Sequence, residues 1–126
     1  MTRYSYNQQL TPPAPFVHVT LRRPMGGVVL PEVPAQLDTA ADVSVLPWNL
    51  VESLALAQLD QVPIMGFGGH VTLVPMFLVE IGIRQLDPFV IRALGVRDEP
   101  HLLLGRDVLN RHRVLLDGPR QVLQVD

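Results

Sequence analysis

The sequence contains no cysteine, no long apolar run and no basic stripe, and each absence excludes a class of protein. Without cysteine there are no disulfides and no thiolate metal sites. No run reaches the roughly 18 apolar residues of a membrane span. The ten Lys and Arg residues are scattered and the formal net charge is −2, which gives no basis for binding nucleic acid. We therefore expect no membrane and no nucleic acid among the partners, and the lack of cysteine favours a cytoplasmic location.

The size and composition fit one small sheet-rich domain. A chain of 126 residues accommodates a single domain, and its 48% hydrophobic residues suffice for a packed core. Twelve prolines and nine glycines interrupt the chain often, as in folds built from short strands. Residues 1–14 are polar, end in a proline-rich stretch and show no apolar signal segment, so we expect a flexible tail there and the folded domain at 15–126.

Alternating apolar residues predict an all-β fold with one or two short helices. The longest alternation runs over 71–83 and predicts a long strand. An apolar approach precedes it across a glycine-rich tip, so the two arms predict a hairpin with its tip at 66–69. Short helices are expected at 48–57 and 105–112. The other predicted strands are 16–21, 28–30, 33–37, 43–46, 88–94, 102–104, 114–116 and 122–125.

One acidic residue stands out by its position. Asp38 follows the apolar segment 33–37, and the apolar segment 43–46 comes soon after it. An acid between two core strands is costly to desolvate, so it usually has a partner or a chemical purpose. The pair Asp38-Thr39 by itself is a weak signal because Asp-Thr pairs commonly form turns or helix caps. A purely structural turn is therefore one interpretation of this segment.

Three blocks, in this order, resemble the retropepsin-like aspartic peptidases, the retroviral type with its bacterial and cellular single-domain members. The block 37–46 looks like the active-site loop, 65–70 like the glycine-rich tip of the flap, and 103–109 like the paired apolar residues, Gly and short helix near the family's C-terminus. Their order and approximate spacing agree with the family from Phe16 to about Val114. The resemblance implies a small closed β-barrel-like acid-protease fold that works as a homodimer.

The resemblance also implies a role for particular residues. Asp38 and Thr39 would be catalytic, with Thr39 bonding across the dimer axis. Gly105 and Arg106 would support the loop, and Arg106 would pair with Asp42. Contacts to the substrate backbone or side chains would come from the loop and the flap, namely Ala40, Ala41, Asp42, Gly66, Phe67, Gly68 and Gly69.

The implied chemistry needs two carboxylates about 3 Å apart that share one proton. The chain contains one Asp-Thr motif of this type, so a second copy would have to supply the other carboxylate across a twofold axis. The hypothesis is thus an aspartic endopeptidase that hydrolyses a peptide or protein substrate with a water activated by the Asp38 pair, without a cofactor. Two alternatives stay open: a catalytically silent domain of the same fold for dimerisation or peptide binding, and an unrelated small β-barrel binding module.

Two further points bear on this hypothesis. The family's usual Gly after Asp-Thr is Ala40 here, which is harmless if its φ is negative but impairs activity if φ is positive or if the methyl group meets the substrate. The histidines do not pair at ligand spacing on a helix, so we expect no metal site. These histidines are His18, His70, His101 and His112.

Overall fold

The computed structural model describes the backbone of residues 1–126 and every side chain except that of Phe67. It contains two short α-helices, α1 (Trp48–Ser53) and α2 (Arg106–Leu109), and one 3-10 turn (Phe67–Gly69). The strands are β1 (Thr2–Ser5), β2 (Phe16–Arg22), β3 (Val29–Leu37), β4 (Val45–Pro47), β5 (Gln58–Met65), β6 (Val71–Ile83), β7 (Phe89–Val96), β8 (Leu102–Leu104), β9 (Val114–Asp117) and β10 (Val122–Val125).

Six of the strands close into a barrel. They are hydrogen-bonded in the order β2-β3-β8-β4-β7-β6, and an additional antiparallel pairing of β2 with β6 joins the two ends. β5 adds to β6 as the second arm of a long hairpin. The predicted all-β class and small closed barrel are therefore confirmed.

The core is built from side chains at every second position along the strands. In β6 the residues Phe77, Val79, Ile81 and Ile83 alternate along the chain and are all buried, because successive side chains of a strand point to opposite faces. The long strand predicted at 71–83 is confirmed in its full length. The neighbouring strand β2 contributes its own alternating set to the same core, Val17, Val19 and Leu21.

Both helices are shorter than the pattern predicts. α1 stops at Ser53 because Leu54 is its buried C-cap and Ala55 has a positive φ of 52°, which ends the right-handed helix. α2 stops at Leu109, and Arg113 already exchanges backbone hydrogen bonds with Asp126. No helix among the described residues has the length and apolarity needed to cross a membrane.

The prediction of a flexible tail over residues 1–14 is wrong at its beginning. Thr2–Ser5 form β1, which pairs antiparallel with β10, and Tyr4 is buried in the core. Only Thr2 and Tyr4 of this four-residue strand point inward. Two inward residues are too few to display a period in the sequence, so the strand could not be recognised there.

β1, β10 and β9 form a separate sheet in that order, which we call the terminal sheet. Its inward residues Tyr4, Leu123 and Val125 belong to the same hydrophobic cluster as the barrel core. The terminal sheet therefore packs on the barrel as part of one folded unit.

An exposed ion pair joins β3 to the turn after β6. The guanidinium of Arg84 donates two hydrogen bonds to the carboxylate of Glu32. These bonds lower the pKa of the Glu32 carboxyl and raise the pKa of Arg84. Because solvent screens exposed pairs, this one contributes little to stability.

Candidate active site

Asp38 lies where β3 ends and a turn begins. Its N–H donates to the carbonyl of Leu104 in β8 at 3.0 Å, and its own carbonyl accepts the N–H of Ala41 at 3.2 Å. The carboxylate oxygen Oδ1 accepts the N–H of Ala40 at 3.1 Å. Asp38 is half-buried, whereas Thr39 and Ala40 are exposed. The fold thus holds a carboxylate on a tight turn that opens to the surface.

Ala40 adopts an ordinary backbone conformation. The non-glycine residues with positive φ are Met25, Glu32, Ala55, Gln85 and Gln121, and Ala40 is not among them. The backbone at this position therefore does not require the glycine that the resemblance leads one to expect.

We expect Ala40→Gly to leave cleavage activity, where it is measured, within about tenfold of the natural chain, and to lower the free energy of unfolding by about 0.4–1 kcal/mol. Glycine has more conformational freedom in the unfolded state, and the native turn gains nothing from it. Denaturant unfolding and kcat/KM on one peptide measure the two effects. A larger gain in kcat/KM would show that the methyl group obstructs the substrate.

Hydrogen bonds between Ser44 and Asp107 hold the end of the loop 37–46 against α2, and we call this pair the Ser44–Asp107 clasp. The Ser44 hydroxyl donates to Oδ1 of Asp107 at 2.7 Å, and the Ser44 N–H donates to Oδ2 at 3.0 Å. The same hydroxyl accepts the N–H of Gly105 at 3.0 Å, and Oδ1 of Asp107 also accepts the N–H of Val108 at 2.9 Å. Ser44 is completely buried. A hydroxyl that both donates and accepts in the core fixes the end of the loop to the start of α2.

Arg106 completes the connection between α2 and the turn. Its Nη1 donates to the carbonyls of Thr39 at 2.8 Å and Ala40 at 3.1 Å, and its backbone N–H donates to Ala41 at 2.9 Å. The expected ion pair between Arg106 and Asp42 is not formed between these described residues. The reason is that the turn presents two successive carbonyls to the guanidinium, which binds them instead.

Gly105 sits where no side chain fits. A Cβ at this position would lie 2.8 Å from the carbonyl carbon of Val43 and 2.9 Å from the carbonyl oxygens of Ala41 and Val43. These contacts are all with backbone, which cannot rotate away as a side chain can. The loop and α2 approach each other this closely because residue 105 is glycine.

The hairpin of β5 and β6 ends in a glycine-rich tip. The N–H of Gly66 donates to the carbonyl of His70 at 2.9 Å, and the N–H of Gly69 donates to Gly66 at 3.2 Å. Gly68 and Gly69 have φ of 84° and 79°, which only glycine adopts readily. The side chain of Phe67, a predicted substrate contact, lies outside the described residues.

An open cleft of about 560 Å³ lies between β5, β6, β7 and α2 and reaches the loop at Val43. Val62 of the hairpin, Val43 of the loop and Asp107 of the clasp line it. Of the three sequence blocks, the structure brings two into direct contact, the loop 37–46 and the block 103–109 that contains α2. The described hydrogen bonds of the hairpin tip are internal to the hairpin. Within the described part of the chain, no group of His, Asp or Glu side chains is arranged to hold a metal.

Ser44 and Asp107 hold the loop but are not among the site residues predicted from the sequence. One signal was available for each. Ser44 is a polar residue inside the apolar run 43–46, and Asp107 follows the predicted supports Gly105 and Arg106. Neither signal identifies the other residue as its partner.

The chain resembles solved structures over most of its length. No protein-family model matches it and no curated protein matches it. The EIAV protease, solved in complex with an inhibitor, matches with a TM-score of 0.63 and 25% identity over 86% of this chain and 93% of that one. A retropepsin-like aspartic protease from Rickettsia conorii matches with a TM-score of 0.66 and 14% identity over 98% of this chain and 88% of that one.

The closed barrel, with an aspartate on a braced turn, defines an aspartic-protease type of fold. The two similar structures and the order of the three sequence blocks agree on a more specific form of this fold. The chain has the retropepsin-like fold.

Proposed function

We propose that the chain is one half of a homodimeric aspartic endopeptidase, in which Asp38 of each copy contributes one carboxylate to the catalytic pair. The observation that carries the proposal is the bracing of the Asp38 turn. Backbone atoms of Thr39, Ala40 and Ala41 are all bonded to Arg106. A turn that only reverses the chain needs no such support, whereas catalysis needs a carboxylate held within a fraction of an ångström.

The chemistry assigns different tasks to two equivalent carboxylates. One is ionised and acts as general base on a water, which attacks the peptide carbonyl carbon. The other is protonated, polarises the carbonyl oxygen and later helps to protonate the leaving amine. Two carboxylates this close cannot both ionise, so the pair holds one proton and titrates as a unit.

The remaining predicted site residues have supporting roles in this proposal. Thr39, exposed in the single chain, bonds across the dimer axis and holds the two turns together. The loop contacts the substrate backbone through the Ala40 carbonyl and Asp42. The glycine-rich tip at 66–69 closes over an extended peptide and excludes water from the reaction.

The replacement of the family's glycine by Ala40 motivates a second candidate, a silent retropepsin-like domain that dimerises or holds a peptide without cleaving it. The negative φ of Ala40 removes the backbone reason for inactivity. The two candidates differ in one measurable property, cleavage that depends on the Asp38 pair.

We expect cleavage of a broad peptide library at mildly acidic to neutral pH, with an activity per chain that falls on dilution. Each site requires two chains, so activity disappears as the dimer dissociates. Sedimentation at the same concentrations measures the dimer fraction, which must track the activity. A statine-type transition-state analogue should bind the dimer, because it mimics the tetrahedral intermediate. A dimeric sample that neither cleaves the library nor binds the analogue would support the silent domain.

A further inference from the structure

A cavity of about 420 Å³ lies where β6 separates from β7. The ladder of paired residues between these two strands ends at Met76 and Leu94. The next residue of β6 toward the hairpin tip is Pro75, which has no N–H group and cannot donate to a continued ladder. Beyond this point β6 stays with β5 in the hairpin, whereas β7 stays with β4 in the barrel.

Both the hairpin and the barrel line this space, which we call the hinge cavity. Residues 58, 61 and 72–75 line it from the hairpin, and Trp48 and residues 95–97 line it from the barrel. Its volume lies in the range of small-molecule sites, roughly 300–1,000 Å³. It shares no lining residue with the open cleft that reaches the Asp38 loop. A molecule in the hinge cavity therefore contacts hairpin and barrel at once, away from the candidate active site.

One wall of the hinge cavity is a tightly packed aromatic pair. The ring of Trp48 meets the buried ring of Phe77 edge to face, with their centroids 5.8 Å apart. A Cβ at Gly95 would lie 2.6 Å from the Phe77 ring and 3.3 Å from the Trp48 ring, so this arrangement depends on glycine. Because the wall is packed against the core, a ligand does not have to order it on binding.

Arg97 is the one ionisable side chain among the described residues that line the hinge cavity. Its guanidinium carbon lies 4.3 Å from the centroid of the Trp48 ring. None of the ion pairs between described residues includes Arg97. The Asp60 carboxylate of β5 accepts two hydrogen bonds of 2.8 Å from Arg92 and lines the open cleft instead, and the acidic residues 98–99 do not line the hinge cavity. The lining therefore has one positive charge and no counter-charge.

The hairpin wall of the hinge cavity is apolar. Leu73 and Pro75 share the face of β6 on which Phe77 meets Trp48, because every second residue of a strand faces the same side. Leu73 is 61% exposed, so this wall has apolar surface to cover. We propose that the hinge cavity binds a small organic monoanion, whose carboxylate pairs with Arg97 and whose apolar body packs between Trp48 and Leu73. A cation is disfavoured, because Arg97 repels it and already covers the indole ring.

The position of the hinge cavity gives its ligand an effect on the hairpin. This effect rests on the proposed function, in which the tip at 66–69 closes over the substrate. A hairpin that closes as a unit turns about the point where it leaves the barrel, at Pro75. A ligand that fills the space between β6 and the end of β7 resists this movement, while the substrate groove stays free. The bound anion therefore lowers the rate of the closed, reacting complex rather than competing with the peptide.

Binding can be measured with 4-isopropylbenzoate, which combines an apolar body with one carboxylate. Trp48 is the only tryptophan of the chain, so its indole N–H gives a single NMR signal that reports on the cavity wall. We expect a saturable shift of this signal with a dissociation constant of about 1 mM, as for a ligand of about 12 non-hydrogen atoms. The neutral amide 4-isopropylbenzamide should bind at least about tenfold more weakly, because it forms no charge-assisted bond with Arg97.

Arg97→Gln tests the charge from the side of the protein. We expect it to weaken binding of 4-isopropylbenzoate at least about tenfold. Arg97 is exposed, so thermal unfolding of this variant should match that of the natural chain. Arg120→Gln is the matched control, since the Arg120 side chain is 78% exposed in the turn after β9 and should not affect binding. Equal binding by the two variants, or equal binding of acid and amide, would overturn the role of Arg97.

Steady-state cleavage of one peptide tests the effect on the hairpin. Saturating 4-isopropylbenzoate should lower kcat at least about fivefold and leave KM within about twofold. Arg97→Gln, compared with its own rate without the probe, should need about tenfold more probe for the same loss. A rise in KM at constant kcat would place the probe in the substrate groove and contradict binding in the hinge cavity.

The NMR titration requires no cleavage, so the cavity and the peptidase can fail separately. Saturable binding that depends on Arg97, in a chain that cleaves nothing, would leave the hinge cavity standing and the peptidase wrong. Cleavage that depends on Asp38, in a chain whose Trp48 signal shows no saturable shift, would leave the peptidase standing and the hinge cavity wrong. Binding that leaves kcat unchanged would overturn the effect on the hairpin.

Discussion

We expect Asp38→Asn to lower kcat/KM for peptide cleavage by about 10⁴-fold. Asparagine has nearly the shape of aspartate, and its amide oxygen can still accept the hydrogen bond from Ala40 that the carboxylate accepts at 3.1 Å. It can neither take a proton from water nor hold one for the carbonyl oxygen. In a homodimer the substitution removes both carboxylates at once, so no residual general base remains in the pair.

The comparison requires variants that fold and dimerise alike. Asp38 is only half-buried, so Asp38→Asn should match the natural chain in thermal unfolding and in sedimentation. Asp87→Asn is the matched control, since Asp87 is an exposed aspartate in the turn before β7 and should tolerate the change without loss of activity. Equal cleavage by Asp38→Asn and Asp87→Asn would contradict a role for Asp38 in the chemistry.

The sequence predicts local structure well where the pattern is long. The strand Val71–Ile83 has thirteen residues, enough for its alternation to show. The closure of the barrel depends instead on pairings between distant segments, such as β3 with β8 and β2 with β6. Alternation says which face of a strand is buried, but it does not say which strand lies beside it. Only the resemblance to a family could predict the closed barrel.

In the candidate site, too, residues within a local sequence pattern can be predicted, whereas contacts between distant residues cannot. Asp38, Gly105 and Arg106 can be predicted as site residues because they belong to blocks with a recognisable order. The Ser44–Asp107 clasp cannot, because its partners are 63 residues apart in the chain and no local pattern links them. The backbone conformation of Ala40 also cannot be predicted from the sequence, because alanine is compatible with most of the allowed conformations.

The second large effect concerns Gly105 rather than Asp38. We expect Gly105→Ala to lower the free energy of unfolding by about 3 kcal/mol, the upper part of the range for overpacking a tight site. For a domain of this size, that corresponds to a fall in melting temperature of roughly 10 °C. The added methyl would meet the backbone of Ala41 and Val43 at 2.8–2.9 Å, and a backbone contact cannot be relieved by changing a rotamer.

Gly118→Ala is the matched control, because nothing lies within 4 Å of its added methyl and its φ is not positive. We expect it to leave the melting temperature unchanged or to raise it slightly. The two glycines thus differ in their surroundings but not in the chemistry of the change. If both variants melt at the same temperature, the close approach of loop and α2 does not constrain the fold. If Gly105→Ala is destabilised as expected and its folded fraction also loses cleavage, the backing of the Asp38 turn is part of the active site.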